Sequence, residues 1–178
     1  MNSFWLHPSL ILILGSLLLP FVPAALKRGY LLLVPVLTFA RILTLQTGSF
    51  GVVEIGGLEL IFGRVDKLSM DFGYIMGLMC ILGNLYSLHV KDDRQHAAAW
   101  IYVAGSIGAI YSGDFITLFL FWEMMAFASV FLIWARGREE SLRAGYRYLL
   151  VHVAGGLALL GGMVWHCKEC GRTVIAEI

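Results

Sequence analysis

Residues 115–135 read Phe115-Ile116-Thr117-Leu118-Phe119-Leu120-Phe121-Trp122-Glu123-Met124-Met125-Ala126-Phe127-Ala128-Ser129-Val130-Phe131-Leu132-Ile133-Trp134-Ala135, with Glu123 as the one charged residue. The hydrocarbon layer of a bilayer is about 30 Å thick and a helix rises about 1.5 Å per residue, so about 20 apolar residues make one span. The stretch therefore predicts a transmembrane helix with a carboxyl group near its middle. Five other segments satisfy the same count, at about 4–26, 30–47, 70–90, 97–113 and 145–166, and Gly113-Asp114 gives a tight turn between the fourth and the fifth. The expected fold is an all-α polytopic membrane protein of about six transmembrane helices, forming one membrane domain over residues 1–178.

Composition agrees. Of the 178 residues 59% are hydrophobic and 14% charged, against roughly a quarter charged in a soluble domain. The net charge of +1 supplies no basic field for nucleic acid. Cys80, Cys167 and Cys170 do not make a disulfide framework. The first apolar run has no Lys or Arg ahead of it, which favours a retained span over a cleaved signal peptide.

Lys and Arg set the orientation. Lys27, Arg28, Lys91, Arg94, Arg136, Arg138, Arg143 and Arg147 fall on one side, and Arg41, Arg64, Lys67, Lys168 and Arg172 on the other. The excess places the amino terminus outside and the short loops in the cytoplasm, in the inner (cytoplasmic) membrane. The long connection over 48–69 contains Val52-Val53-Glu54-Ile55 and Leu58-Glu59-Leu60-Ile61-Phe62 around Gly56-Gly57, which predicts a short β-hairpin between helices 2 and 3. Gly73-xxx-Gly77, Gly105-xxx-Ala109-xxx-Gly113 and Ala154-xxx-Ala158-xxx-Gly162 predict close helix packing. Trp5, Trp100, Trp134 and Trp165 are expected at the membrane interfaces.

Glu123 is the leading candidate for chemistry. Projected on a helix, its face holds Ile116, Phe119, Phe127, Val130 and Trp134, so its own helix offers no partner. A carboxylate at that depth costs about 2.5–3.5 kcal/mol, which drives it into the bundle interior. Burial favours the neutral acid and a neighbouring cation favours the carboxylate, so a group held between those pulls can load and release a proton. The alternative is a protonated acid that only hydrogen-bonds across the bundle. His152, about seven residues into the sixth predicted span, is a candidate relay because imidazole titrates near neutral pH, the alternative being a histidine that simply hydrogen-bonds within the bundle. Counting residues leaves a gap of about 8 Å along the membrane normal, which water would have to bridge. Asn84 could bridge helices, and Arg41 is expected to snorkel at the outer end of helix 2. His166-Cys167-Lys168-Glu169-Cys170 offers three ligands where zinc takes four, and its order is wrong for covalent haem, so no metal and no cofactor is expected. Neither a phosphate-binding loop nor a catalytic triad is present, so catalysis by side chains alone is not expected.

Gly63–Ser69, Asp114–Ala126 and Arg147–Gly156, in this order, resemble the amino-terminal part of the antiporter-like proton-translocating membrane subunits. That family includes the D-type subunits of multisubunit cation/proton antiporters and the large membrane subunits of complex I and membrane-bound hydrogenases, and the likeness leans towards the D type. The resemblance implies that Glu123 is the essential glutamate of the fifth helix, paired with a lysine on a later helix, within about fourteen helices in all. Here the lysines are Lys27, Lys67, Lys91 and Lys168, none deep in a span. The expectation is a truncated or split subunit that takes part in proton or Na+ translocation, with other membrane subunits as partners, one of them supplying later helices. A structural or assembly component of an NADH-quinone oxidoreductase-like or hydrogenase-like complex is the alternative.

Overall fold

The computed structural model describes residues 5–55, 58–170 and Ile175. Six α-helices carry the chain: α1 (Pro8–Leu18, continued by a 3-10 turn at Leu19–Phe21), α2 (Ala24–Leu43), α3 (Lys67–Ser87), α4 (Asp93–Tyr111), α5 (Phe115–Trp134) and α6 (Glu139–Cys170). Strands β1 (Gly48–Ile55) and β2 (Leu58–Val65) form an antiparallel hairpin between α2 and α3. The all-α architecture with its hairpin is as expected, and the strands are longer than expected. The Gly56-Gly57 turn lies outside the described residues. Glu54 and Glu59 face each other across the ladder, a like-charge pair that only an exposed strand end accommodates.

Three helices are long and apolar enough to cross a membrane by composition alone: α3, α5 and α6. The first is shorter, and α2 carries Lys27, Arg28 and Arg41. α4 opens on the polar run Asp93-Arg94-Gln95-His96.

Several boundaries move against expectation. The first span does not reach residue 26, and the second begins at 24 rather than 30. Proline is the reason. Pro23 is the N-cap of α2 and Val22 before it is extended, as the residue preceding a proline prefers. The sixth helix starts at Glu139, six residues before the expected 145. Arg138-Glu139-Glu140, expected as loop, becomes a helix start, where Arg143 donates to Glu139 across one turn at 2.7 Å.

α4 is the central helix, packing on α5, α1 and α3, while α2 packs on α3 and α1. Glycine spacing explains how closely α3 and α4 approach their neighbours. A methyl group on Gly73 would collide with the Tyr111 hydroxyl, and one on Gly77 with Phe39. On α4, Gly105 and Gly108 receive Met125 and Phe121, so the working pair is Gly105/Gly108 rather than Gly105/Ala109. The Ala154/Ala158/Gly162 stripe of α6 packs on nothing among the described residues and faces outward. α6 touches chiefly α5.

Trp100 is the clearest departure from the expected interfacial tryptophans. It is 0% exposed, and its indole N–H donates to Asn84 Oδ1 at 2.7 Å. Asn84 Nδ2 in turn donates to the Cys80 carbonyl at 2.8 Å. Asn84 therefore bridges α3 and α4, as its depth suggested. On the loop side, Lys27 and Asp93 pair at 2.6 Å and tie the starts of α2 and α4 together.

Asp66 opens α3. It accepts from Ser69 N at 2.7 Å, and its own N–H donates to Ser69 Oγ at 2.8 Å, a reciprocal capping box. The hydrogen bond from Ser69 N–H leads in holding the Asp66 carboxyl below its usual 3.8, against a partial desolvation cost, with the Ser69 hydroxyl and Arg64 adding to it.

Two outcomes are expected. Asn84→Leu preserves volume but strands the Trp100 N–H, costing about 1–2 kcal/mol, read as a lower thermal midpoint in detergent. Adding Trp100→Phe to that variant recovers part of the loss. Because the folded-state pKa of Asp66 is depressed, its contribution to stability is present above the unfolded value and fades as pH falls through the folded one. Asp66→Asn should therefore flatten the acid limb of a stability–pH profile below about pH 4.

Candidate functional site

The site lies where α5 meets α6. Glu123 projects from the middle of α5 towards His152 and Gly156 of α6. Its Oε1 is 3.9 Å from His152 Nε2, with the two side chains 19% and 20% exposed respectively. Both atoms are buried, and neither has a hydrogen-bond partner among the described residues. At 3.9 Å they are beyond direct hydrogen bonding, which needs about 2.7–3.2 Å, and a small side-chain rotation or one water closes the gap.

The expected gap of about 8 Å along the membrane normal is thus too large. It came from starting the sixth helix at residue 145. With α6 starting at Glu139, His152 lies about 20 Å along that helix and Glu123 about 17 Å from the end of α5 at Trp134. The two groups stand at nearly the same depth.

Three neighbours shape the pair, none of them singled out from sequence. A Cβ on Gly156 would overlap Glu123 Oε1, so the carboxyl occupies the space a side chain would fill. The signal was available, because Gly156 is four residues past His152 and shares its helix face. Tyr148 lies four residues before His152, and its ring is nearly parallel to the imidazole at 5.8 Å. Trp122, beside Glu123 in sequence, also lies nearly parallel to it at 6.3 Å. The Tyr148 hydroxyl accepts from Ser129 Oγ at 2.9 Å, a second polar link between α5 and α6.

The depth of Glu123 is fixed from the start of α5. Asp114 is 0% exposed. Its Oδ1 accepts from Ile116 N at 2.9 Å and Thr117 N at 2.8 Å, and its Oδ2 accepts from Ile61 N of the hairpin at 2.7 Å. Gly113 N donates to Ile61 O at 2.9 Å, and its carbonyl accepts from Ile175 N at 3.0 Å. One turn thus joins α4, α5, the hairpin and the segment after α6.

The remaining candidates have their contacts elsewhere. Asn84 is engaged by Trp100 and Cys80. Arg41 donates from Nε to the Leu6 carbonyl at 3.1 Å and from a terminal nitrogen to Thr44 Oγ1 at 2.9 Å. It pins the amino-terminal segment to the end of α2 rather than snorkelling freely. His166 and Cys167 continue α6, with the His166 ring edge-on to Phe115 at 5.3 Å. No cluster of three or more His, Cys, Asp or Glu side chains placed to hold a metal ion occurs among the described residues.

Chemically, an acid and an imidazole facing each other in an apolar interface can hold one proton between them and exchange it.

A family model described as NADH:quinone oxidoreductase/Mrp antiporter, TM matches residues 112–178, which include Glu123 and His152. The chain is 30% identical to the A1 subunit of the Na(+)/H(+) antiporter of Staphylococcus saprophyticus subsp. saprophyticus, over 97% of this chain and 24% of that protein. It is also 30% identical to the A1 subunit of the Na(+)/H(+) antiporter of Staphylococcus aureus, over 89% of this chain and 22% of that protein. These relatives are of the A type, where the sequence leaned to the D type. The chain spans about a quarter of the length of the curated relatives it matches. In fold it is similar to a chain of the membrane-bound sulfane sulfur reductase, an archaeal respiratory membrane complex, with a TM-score of 0.82 and 20% identity over 94% of this chain and 28% of the other. In sequence over residues 112–178 and in fold over nearly its whole length, this multi-pass membrane chain is similar to antiporter-like subunits of the NADH:quinone oxidoreductase/Mrp antiporter kind.

Proposed function

We propose that this chain is part of a membrane subunit that moves protons or monovalent cations, and that Glu123 and His152 handle the proton. The observation that carries the reading is the buried, unpartnered Glu123 Oε1 facing an equally unpartnered His152 Nε2 at 3.9 Å, among the described residues. A carboxyl at that depth costs about 2.5–3.5 kcal/mol and is retained where it works. Neither group is locked by hydrogen bonds, so a proton can pass between them, and a third charge brought near changes how firmly each holds it.

The relatives support the setting. Two of them are subunits of Na(+)/H(+) antiporters and the structural neighbour is a chain of a respiratory complex. In this reading other membrane subunits or helices sit against α6, whose apolar residues Leu150, Val151, Leu157 and Val164 are exposed. The end of the bundle that carries Lys27, Lys91, Arg94 and Arg136 faces the cytoplasm, with the hairpin outside.

The test is ion flux in membranes containing the assembled protein. Glu123→Gln keeps size and polarity but cannot release a proton, and flux should fall at least tenfold; unchanged flux would sink the reading. His152→Gln should slow transport and move its pH dependence while expression stays normal. Gly156→Ala is the third arm. Its new methyl group displaces the Glu123 carboxyl rather than backbone, so the chain should insert and fold normally yet transport poorly.

A further inference from the structure

A second feature of the molecule involves neither Glu123 nor His152. Between α4 and α5 runs a groove of about 720 Å³, lined by Ala98, Ile101, Met124, Phe127, Phe131 and Trp134 along most of its length. Its deep end is Met124, and its mouth is set by Trp134 and Ala135 at the end of α5 and by Asp92 and Arg94 at the start of α4. Met124 to Ala135 is eleven helical steps, about 16–17 Å. Half of a hydrocarbon layer about 30 Å thick is about 15 Å. The groove therefore runs from the membrane surface to about the midplane, the depth of one leaflet, and its volume is in the range of pockets that enclose small molecules.

Charge gathers at the mouth. Arg94 is exposed and has no ion pair among the described residues. Lys91 lines the recess that adjoins the mouth and shares Asp92, Arg94 and Ala97 with it. Asp92 shares the mouth with Arg94 and is engaged as the N-cap of α4, accepting from Arg94 N and Gln95 Nε2. Asp93, in the adjoining recess, is paired to Lys27. The rim is left with a net positive charge above an apolar slot. Trp134 stands at the same level, where indole rings prefer to lie.

From this arrangement we infer that the α4–α5 groove is a phospholipid site selective for anionic headgroups, with an acyl chain in the slot and the phosphate held by Arg94 and Lys91. Slot length, apolar lining and rim charge each match one part of that molecule, and cationic rims at membrane surfaces attract acidic lipids.

Trp134 reports on the site. The full chain, in the assembly with which it purifies, is placed in phosphatidylcholine vesicles with a minor fraction of bromine-labelled phosphatidylglycerol. The same fraction of bromine-labelled phosphatidylcholine in unlabelled phosphatidylcholine is the reference. Quenching of Trp134 is isolated by subtracting the signal of Trp134→Phe. The site predicts that labelled phosphatidylglycerol quenches Trp134 several-fold more than labelled phosphatidylcholine at equal fraction. Arg94→Gln with Lys91→Gln, both on exposed residues, should remove that preference. Equal quenching by the two lipids, a preference that survives the double variant, or no quenching by either because protein fills the slot would each overturn the assignment.

Discussion

The Asp114 carboxylate is the constraint on which the arrangement rests. One oxygen closes the first turn of α5 and the other takes the Ile61 N–H of the hairpin. A helix N-terminus leaves donors without intrahelical partners, and a buried carboxylate that satisfies two of them while binding a third element has no slack to slide. α5 is thereby fixed along its axis, and Glu123 stands nine residues, about 14 Å, below that anchor. The loop between α4 and α5 looked like a tight turn and no more. Its role as an anchor appears only when the hairpin folds back over it.

What the sequence disclosed and what it withheld divide along a physical line. Hydropathy is local and additive, so the six helices, the hairpin and the buried position of Glu123 were legible from runs of residues. Capping is also local, yet the apolar count ran straight through Pro20 and Val22-Pro23 and put the break between the first two helices several residues too late. The same neglect at Glu139 shortened α6 and misplaced His152 by several ångströms. Trp100 shows another limit. Its position in the chain suggested an interface, but its buried N–H needed an acceptor, and Asn84 sixteen residues earlier supplied it. Such pairings depend on which helix faces which, and that is settled by glycines such as Gly73 and Gly108 whose neighbours a single sequence does not reveal.

The two halves of the molecule are held differently. α1 to α4 enclose a core in which Leu12, Leu19, Ile42, Trp100, Ile107 and Tyr111 are all but sealed from solvent. α6 leans on α5 over one face and leaves Leu150, Val151, Leu157, Val164 and Trp165 open. In lipid such a face costs nothing, because hydrocarbon solvates leucine as well as protein does. The site is therefore bounded by an anchored helix on one side and a lightly held one on the other.

Gly156 contributes to the site by lacking a side chain. The Glu123 carboxyl rests where a methyl group would stand, so the surface that receives it is bare backbone. Such a contact has no functional group to titrate, label or crosslink, and it vanishes from any survey that works by trimming side chains back. It can be detected only by adding atoms, in graded steps of volume, until the acid is forced out of its seat.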